Sequence, residues 1–265
     1  MKISHYLKAT SLEEAYTTLQ SNLQSQIIAG GAWMKLSVKK LDTLISLDDL
    51  HLDEIKEEDD CIVIGSMVTL HQLESSSLVS SISGGIINNA LEQIMGIALR
   101  NIATIGGSIV SKFGFSDILP VLMLFNPTLV FYKYGQILLN DYLTSTDIKR
   151  DILISIKIAK SSYPCYFKKV KITALDFAIL NIAISKQNEK YLIVIGSRPG
   201  NAIFATSAMN LVNSKKTVTP ELIEEVAITC SNECSFSSNV RATKEYRKHL
   251  AYVYTKRGIR EVQNQ

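Results

Sequence analysis

The sequence predicts an α+β protein built as two successive domains, residues 1–160 and 161–265. Three observations carry that expectation. Through the first 160 residues, short β-branched runs such as 26–29, 61–65 and 152–158 alternate with helical patterns. From Ser161 the texture changes to closely spaced strand runs followed by two helical patterns. At 265 residues the chain exceeds the usual length of one domain, and 46% hydrophobic with 20% charged residues is an ordinary globular balance.

Each element has a local reason. Ser11 with Glu14 has capping-box spacing, and Leu12, Ala15 and Leu19 recur on one face, so the first element is expected to be a helix. A strand over 26–29 then runs into a glycine pair. Residues 44–47 and 61–65 read as strands, and the acidic run 53–60 between them reads as a solvated connection. Thr69 with Gln72 marks a second helix start. After a Ser-rich stretch at 75–83, residues 86–95 read as a helix closed by Gly96. Beyond a second glycine pair come 116–120, an apolar segment to Phe125, and strands over 129–134 and 152–158. In the second domain, 166–170, 179–185 and 191–196 read as an antiparallel group with 186–190 as a hairpin loop. One closing helix starts at Thr219 as N-cap with Pro220 in the first position. The other carries Tyr246, Leu250, Val253 and Tyr254 on one face.

Composition excludes several classes of function. The 28 basic and 25 acidic side chains leave a formal charge of +3, and the lysines are scattered rather than striped, so nucleic acid is not the expected partner. No apolar run approaches the roughly 18–20 residues needed to span a bilayer, and Met1 to Leu7 lack the features of a secretory leader. The expectation is a cytoplasmic protein with no membrane partner. Cys61, Cys165, Cys230 and Cys234 form no CxxC and no cluster with the four histidines, so no metal site is expected. Cys230 and Cys234, at i and i+4, read as buried thiols. No convincing Ser/His/Asp or paired-carboxylate constellation is present, and no catalytic residue is assigned.

The chemistry lies instead in two glycine segments: Ile27-Ile28-Ala29-Gly30-Gly31-Ala32-Trp33-Met34 and Ala103-Thr104-Ile105-Gly106-Gly107-Ser108-Ile109. Each sets a glycine pair beside a β-branched, strand-like run. One such pair is usually a turn or bulge. Two of them, some 75 residues apart, suit a phosphate cradle, because glycines let successive N–H groups converge and let a diphosphate approach closely. There is no GxxxxGK[ST] and no GxGxxG opening a helix, so a P-loop or ordinary dinucleotide fold is excluded. A dinucleotide held between two small lobes remains.

Here the chain resembles the flavin-binding subunits and domains of molybdenum hydroxylases, the xanthine dehydrogenase and carbon monoxide dehydrogenase flavoprotein family. The resemblance rests on Ile28-Ala29-Gly30-Gly31, on the run from Leu99 to Ile109, on Ser116-Asp117-Ile118-Leu119-Pro120 and on Ile152-Leu153-Ile154-Ser155-Ile156. Phe167-Lys168, the run from Asp176 to Ala183 and the run from Arg241 to Leu250 extend it into the second half. It implies a two-lobed FAD-binding domain of the vanillyl-alcohol-oxidase (PCMH) type, with lobes of about 1–52 and 53–160. A C-terminal domain like that of the CO dehydrogenase flavoprotein, with a small antiparallel sheet and helices, would follow.

Position by position, the resemblance implies that Ile27, Ile28, Ala29, Gly30, Gly31, Ala32, Trp33 and Met34, with Thr104, Ile105, Gly106, Gly107 and Ser108, line the FAD diphosphate mainly through main-chain N–H groups. The Thr104 hydroxyl would donate to a phosphate oxygen. Asp117 would accept from a ribose or ribityl hydroxyl, Ile154 would pack on the flavin ring, and Lys168 would offset charge near the cofactor. Read without the family, Thr104 is a strand-end hydroxyl, Asp117 an N-cap, Ile154 a core residue and Lys168 a solvated strand lysine. Arg100 and Arg241 read as loop braces. The sequence departs from the family at Ala32 and Ser108, at Trp33 beside the first loop, and at Lys112-Phe113-Gly114-Phe115, which replaces a more polar approach to Asp117.

The implied function is the FAD-binding subunit of a multi-subunit molybdenum hydroxylase. It would work beside a molybdenum-cofactor subunit and a [2Fe–2S] subunit, relaying electrons through FAD to an acceptor such as NAD. Two alternatives stand beside it: a self-contained flavin oxidoreductase of the same fold, and a flavin-free assembly or scaffold protein.

Overall fold

A computed structural model describes residues 2–36, 40–146 and 150–265. They form two compact units. The first holds the described residues up to Leu78 with Gly96–Ser111 and Asn126–Ala159; the second holds Val79–Met95, Lys112–Phe125 and Lys160–Gln265. Two stretches from the first half of the chain thus pack with the C-terminal segment.

The first unit contains two sheets. Strands β1 (Lys2–Lys8), β2 (Gln26–Ile28) and β3 (Lys40–Ser46) form a parallel sheet in the order β1-β3-β2. The helix Leu12–Ser21 packs Ala15 and Leu19 against Ile45 and Leu47. Its cap is the expected Ser11, whose Oγ accepts from Glu14 N, while the Glu14 carboxylate reaches one residue further back, to Thr10 N at 2.7 Å. The helix is not the first element, however. Strand β1 precedes it, an edge strand whose side chains are nearly all exposed and therefore lack the apolar alternation that marks a half-buried strand.

Strands β4 (Ile55–Glu57), β5 (Cys61–Gly65), β6 (Thr128–Phe131), β7 (Gly135–Leu138) and β8 (Leu153–Ala159) form an antiparallel sheet in the order β4-β5-β8-β6-β7. Strand β4 lies inside the acidic run expected to be a plain connection. It pairs Ile55 with Ile64 and Glu57 with Ile62, and its charged side chains suit a sheet edge. The Thr69 helix start is confirmed: the helix Leu70–Glu74 opens with a complete capping box between Thr69 and Gln72.

The second unit is built on strands β9 (Cys165–Val170), β10 (Leu180–Gln187), β11 (Lys190–Gly196) and β12 (Ile203–Phe204), antiparallel in the order β12-β11-β10-β9. Both faces of this sheet are covered, which is why β10 is buried from Leu180 to Ser185 instead of alternating. On one face Ile184 meets the helix Lys244–Asn264, where a Cβ on Gly258 would sit 2.7 Å from the Ile184 side chain and 2.5 Å from the Tyr166 ring. On the other, Asn181 reaches the start of the helix Ile118–Phe125. The expected hairpin loop at 186–190 is tighter: Gln187 pairs with Lys190, leaving only Asn188 (φ 48°) and Glu189 (φ 64°) in the turn.

Two helices lacked a sequence signal, and the final helix corrects an expectation. Residues 118–125 form a helix with seven of eight residues buried, so it shows no polar face from which a helical period can be read. The helix Thr206–Asn213 was not anticipated. The final helix buries Arg247, Leu250, Ala251, Thr255, Gly258, Ile259 and Val262, leaving Tyr246 47% exposed, so its inner face is rotated from the expected aromatic one.

Candidate functional site

In the first unit β2 ends at Ile28 and Ala29-Gly30-Gly31 turns the chain, with Gly31 in the left-handed region at φ 64°. Gly30 has no room for any side chain, because a Cβ there would lie 1.3 Å from the carbonyl oxygen of Ile102. The first glycine segment is therefore seated directly on the backbone that leads into the second. Ala32 is buried, Trp33 is half-buried, and Met34 opens the short turn Met34–Leu36.

The second pair does not flank a strand as expected. Thr104 is extended, makes an isolated bridge with Thr69, and caps the helix Ile105–Val110, whose first turn contains both glycines. The β-branched preference of Thr104 and Ile105 is overruled by anchoring: Ile105 N donates to Val68 O at 2.9 Å and Gly106 N to Ser66 O at 2.9 Å. The Thr104 hydroxyl accepts from Gly107 N at 3.1 Å, and Ser108 Oγ donates to Thr104 O at 2.8 Å.

The two glycines of this pair have different duties. A Cβ on Gly106 would meet Ser66 O at 2.6 Å, so that glycine serves packing. A Cβ on Gly107 would meet only the Thr104 Oγ1, at 3.1 Å, so the space beside it stays open to a ligand. Ser66 also donates its N–H to Ile154 O at 2.9 Å, which holds half-buried Ile154 in register with the second glycine pair. No local pattern marked Ser66, whose role rests on partners 40 and 88 positions along the chain. A cleft of about 780 Å³ in this unit is lined by Gln26 and Ile27, ahead of the first pair, and by Val110, beyond the second. Glycines that open the backbone, the Thr104 O–H and an adjoining cleft fit a diphosphate group, but the N–H groups of Ile105, Gly106, Gly107 and Ser108, expected to line it, are given to Val68 O, Ser66 O, Thr104 Oγ1 and Thr104 O.

Arg100 braces this region as the sequence suggested. Its Nε and Nη2 grip the Glu74 carboxylate at 2.7 and 3.2 Å. Burial would raise the Glu74 carboxyl, but Arg100 and His71 outweigh it and hold the group below its ordinary range.

Asp117 and Lys168 lie in the second unit, in different settings. Asp117 is 7% exposed; one oxygen accepts from Lys169 Nζ at 2.7 Å and the other from Asn181 Nδ2 at 2.9 Å. Burial pushes its carboxyl up, against the pull of the Lys169 ammonium. Lys169, fully buried, also donates to Gln93 O at 2.9 Å. Lys168 is exposed, with Nζ over the Tyr254 ring at 5.9 Å, so the lysine paired with Asp117 is its neighbour. Arg241 braces a loop by donating to Asp176 at 2.8 Å. Among the described residues no group of three or more His, Cys, Asp or Glu could hold a metal ion, and no helix is long and apolar enough to cross a membrane.

Comparison with known proteins bears directly on these features. Residues 1–160 match the model of the FAD binding domain in molybdopterin dehydrogenase, and residues 165–262 match the CO dehydrogenase flavoprotein C-terminal domain. The glyceraldehyde dehydrogenase medium chain of Sulfolobus acidocaldarius is 25% identical over 97% of each chain. Two solved structures share the fold: a carbon monoxide dehydrogenase from Hydrogenophaga pseudoflava, at 20% identity and TM-score 0.89, and the quinoline 2-oxidoreductase of Pseudomonas putida 86, at 19% and 0.88. Each alignment covers 100% of this chain and 98% of the other. With both family models matched in order along nearly its whole length, the chain belongs to the FAD-binding flavoprotein family of the molybdopterin dehydrogenases, an oxidoreductase family whose cofactor is FAD.

Proposed function

We propose that this chain is the FAD-carrying subunit of a cytoplasmic molybdenum hydroxylase, receiving electrons from a [2Fe–2S] subunit that serves a molybdenum-cofactor subunit and delivering them to an acceptor such as NAD. The observation that carries this reading is the seating of Gly30 on the Ile102 carbonyl, which brings the two glycine segments of the first unit together. When bound, FAD supplies the electron transfer itself.

The chain's own residues bind and orient. The run from Ile27 to Met34 offers main-chain N–H groups to the diphosphate, whereas the N–H groups of Ile105 to Ser108 are already bonded within the protein, so the second run contributes the Thr104 hydroxyl and the space left by the absence of a Cβ at Gly107. Having accepted from Gly107 N, the Thr104 hydroxyl keeps its own O–H for a phosphate oxygen. Ser66 fixes Ile154 beside this cradle for contact with the flavin ring. The hydroxyl-accepting role of Asp117 and the charge-offsetting role of Lys168 rest on the family resemblance alone.

Purification of the protein from its native source tests the proposal. Two further polypeptides, one carrying molybdenum and one iron and sulfide, should accompany the flavin in constant ratio. Recovery of a flavoprotein that catalyses a complete reaction as a single chain would exclude the subunit role.

A further inference from the structure

A second cleft, of about 440 Å³, lies wholly within the second unit. Its aromatic wall is Phe177 and Phe115, the latter in the Lys112-Phe113-Gly114-Phe115 segment that the flavin reading leaves unexplained. Phe113 and Phe115 stack at 4.7 Å, and Phe115 meets Phe177 edge-on at 5.0 Å. Gly114 is required by this arrangement, since a Cβ there would lie 2.2 Å from Gly200 O and 3.0 Å from Arg198 O. The chain passes through the left-handed region at Ser197 (φ 55°) and Gly200 (φ 76°) to make that approach.

Arg198, Arg241 and Arg247 line the same cleft. Arg241 is satisfied by Asp176 and stacks on the Phe177 ring at 5.0 Å. Arg247 is not compensated in this way. It is 3% exposed, yet among the described residues its guanidinium donates only to neutral groups: Ile179 O, Ser197 O at 3.4 Å and Asn239 Oδ1 at 2.7 Å. Its Nε, the Nε of Arg198 and the Ser197 hydroxyl are buried without a hydrogen-bond partner among the described residues. The Asp176 carboxylate accepts at Oδ1 from Arg241 Nε and Phe177 N, each at 2.8 Å, and takes no bond from Arg247. A buried guanidinium with neutral partners, beside a second arginine, calls for an anion.

We infer that this cleft binds a small aromatic oxyanion, a carboxylate or phosphate carried on a flat ring, with the charge met by Arg247 and Arg198 and the ring by Phe115 and Phe177. The inference is independent of the flavin reading, because it concerns other residues and a different unit.

Calorimetric titration of the full-length, FAD-loaded protein at low ionic strength, with inorganic phosphate and with phenyl phosphate, tests it. Both probes should bind, phenyl phosphate more tightly by about fivefold through the ring contacts. Phe115→Leu should erase that advantage while leaving phosphate binding in place. Because Arg247 also holds Ile179 and Asn239, its removal can unfold the unit. Half-buried Arg198 supplies the decisive variant, and Arg198→Gln should weaken both probes about tenfold with the flavin spectrum unchanged. Absence of binding by either probe, binding indifferent to Arg198→Gln, or equal affinity for the two probes would overturn the proposal.

Discussion

Gly30 and Gly107 are alike in sequence context but are expected to respond oppositely to the same substitution. Gly30→Ala forces a Cβ onto the Ile102 carbonyl and should cost about 1–3 kcal/mol in urea unfolding. Gly107→Ala meets only a hydroxyl at 3.1 Å within a helix, so its stability should change by less than about 1 kcal/mol while FAD affinity falls. The sequence shows four glycines in two pairs; it cannot show which of them faces a carbonyl, because Ile102 and Ser66 arrive from 72 and 40 positions away. The Lys168-Lys169 dipeptide has the same difficulty. Neighbouring strand residues point to opposite faces, so which lysine is buried against Asp117 depends on pairing with β10, not on the dipeptide itself.

At the scale of elements, the helix Leu70–Glu74 and the helix Ile97–Arg100 are pinned by one carboxylate–guanidinium pair whose side chains are 15% and 10% exposed. Glu74→Gln should cost about 1.5–3 kcal/mol at neutral pH. The folded-state carboxyl lies below its ordinary value of 4.5, so this contribution is complete above that value and is lost as the pH falls through the lower, folded one. Unfolding of wild type and variant should therefore converge in acid, and a difference that survives there would contradict the assignment. The β10–β11 turn offers a stabilising change. Asn188 and Glu189 both have positive φ, so Glu189→Gly should raise stability by about 0.5–1 kcal/mol, the lost exposed pair with Lys186 counting for little. Capped helices and half-buried strands were legible because their signals are local. Strands β1 and β4 were not, since exposed edge strands carry no apolar alternation, and a helix buried all round shows no period.

Across the whole molecule, the second unit is assembled from segments far apart in the chain, and Lys169 ties several of them. Its ammonium bonds Asp117 and Gln93 while Asn181, its cross-strand partner, holds the other oxygen of Asp117. Lys169→Met leaves a buried carboxylate unpaired and should cost about 3–5 kcal/mol, read as a lowered urea midpoint. The family and its cofactor could be read from the sequence because glycine segments and the Arg241 to Leu250 run are compact motifs. The long-range partition, with 79–95 and 112–125 joining the C-terminal sheet, could not, because it depends on contacts spanning 50 residues or more.

The most direct test of the glycine cradle is an FAD titration of the flavin-stripped protein alongside Gly107→Val, with circular dichroism as a control on folding. Wild type should take up one FAD per chain and regain the two-banded visible spectrum of oxidised flavin, whereas the folded variant should stay colourless because a branched side chain fills the space beside Gly107. Wild-type affinity in a folded Gly107→Val protein would contradict the cradle and remove the physical basis of the proposed electron relay.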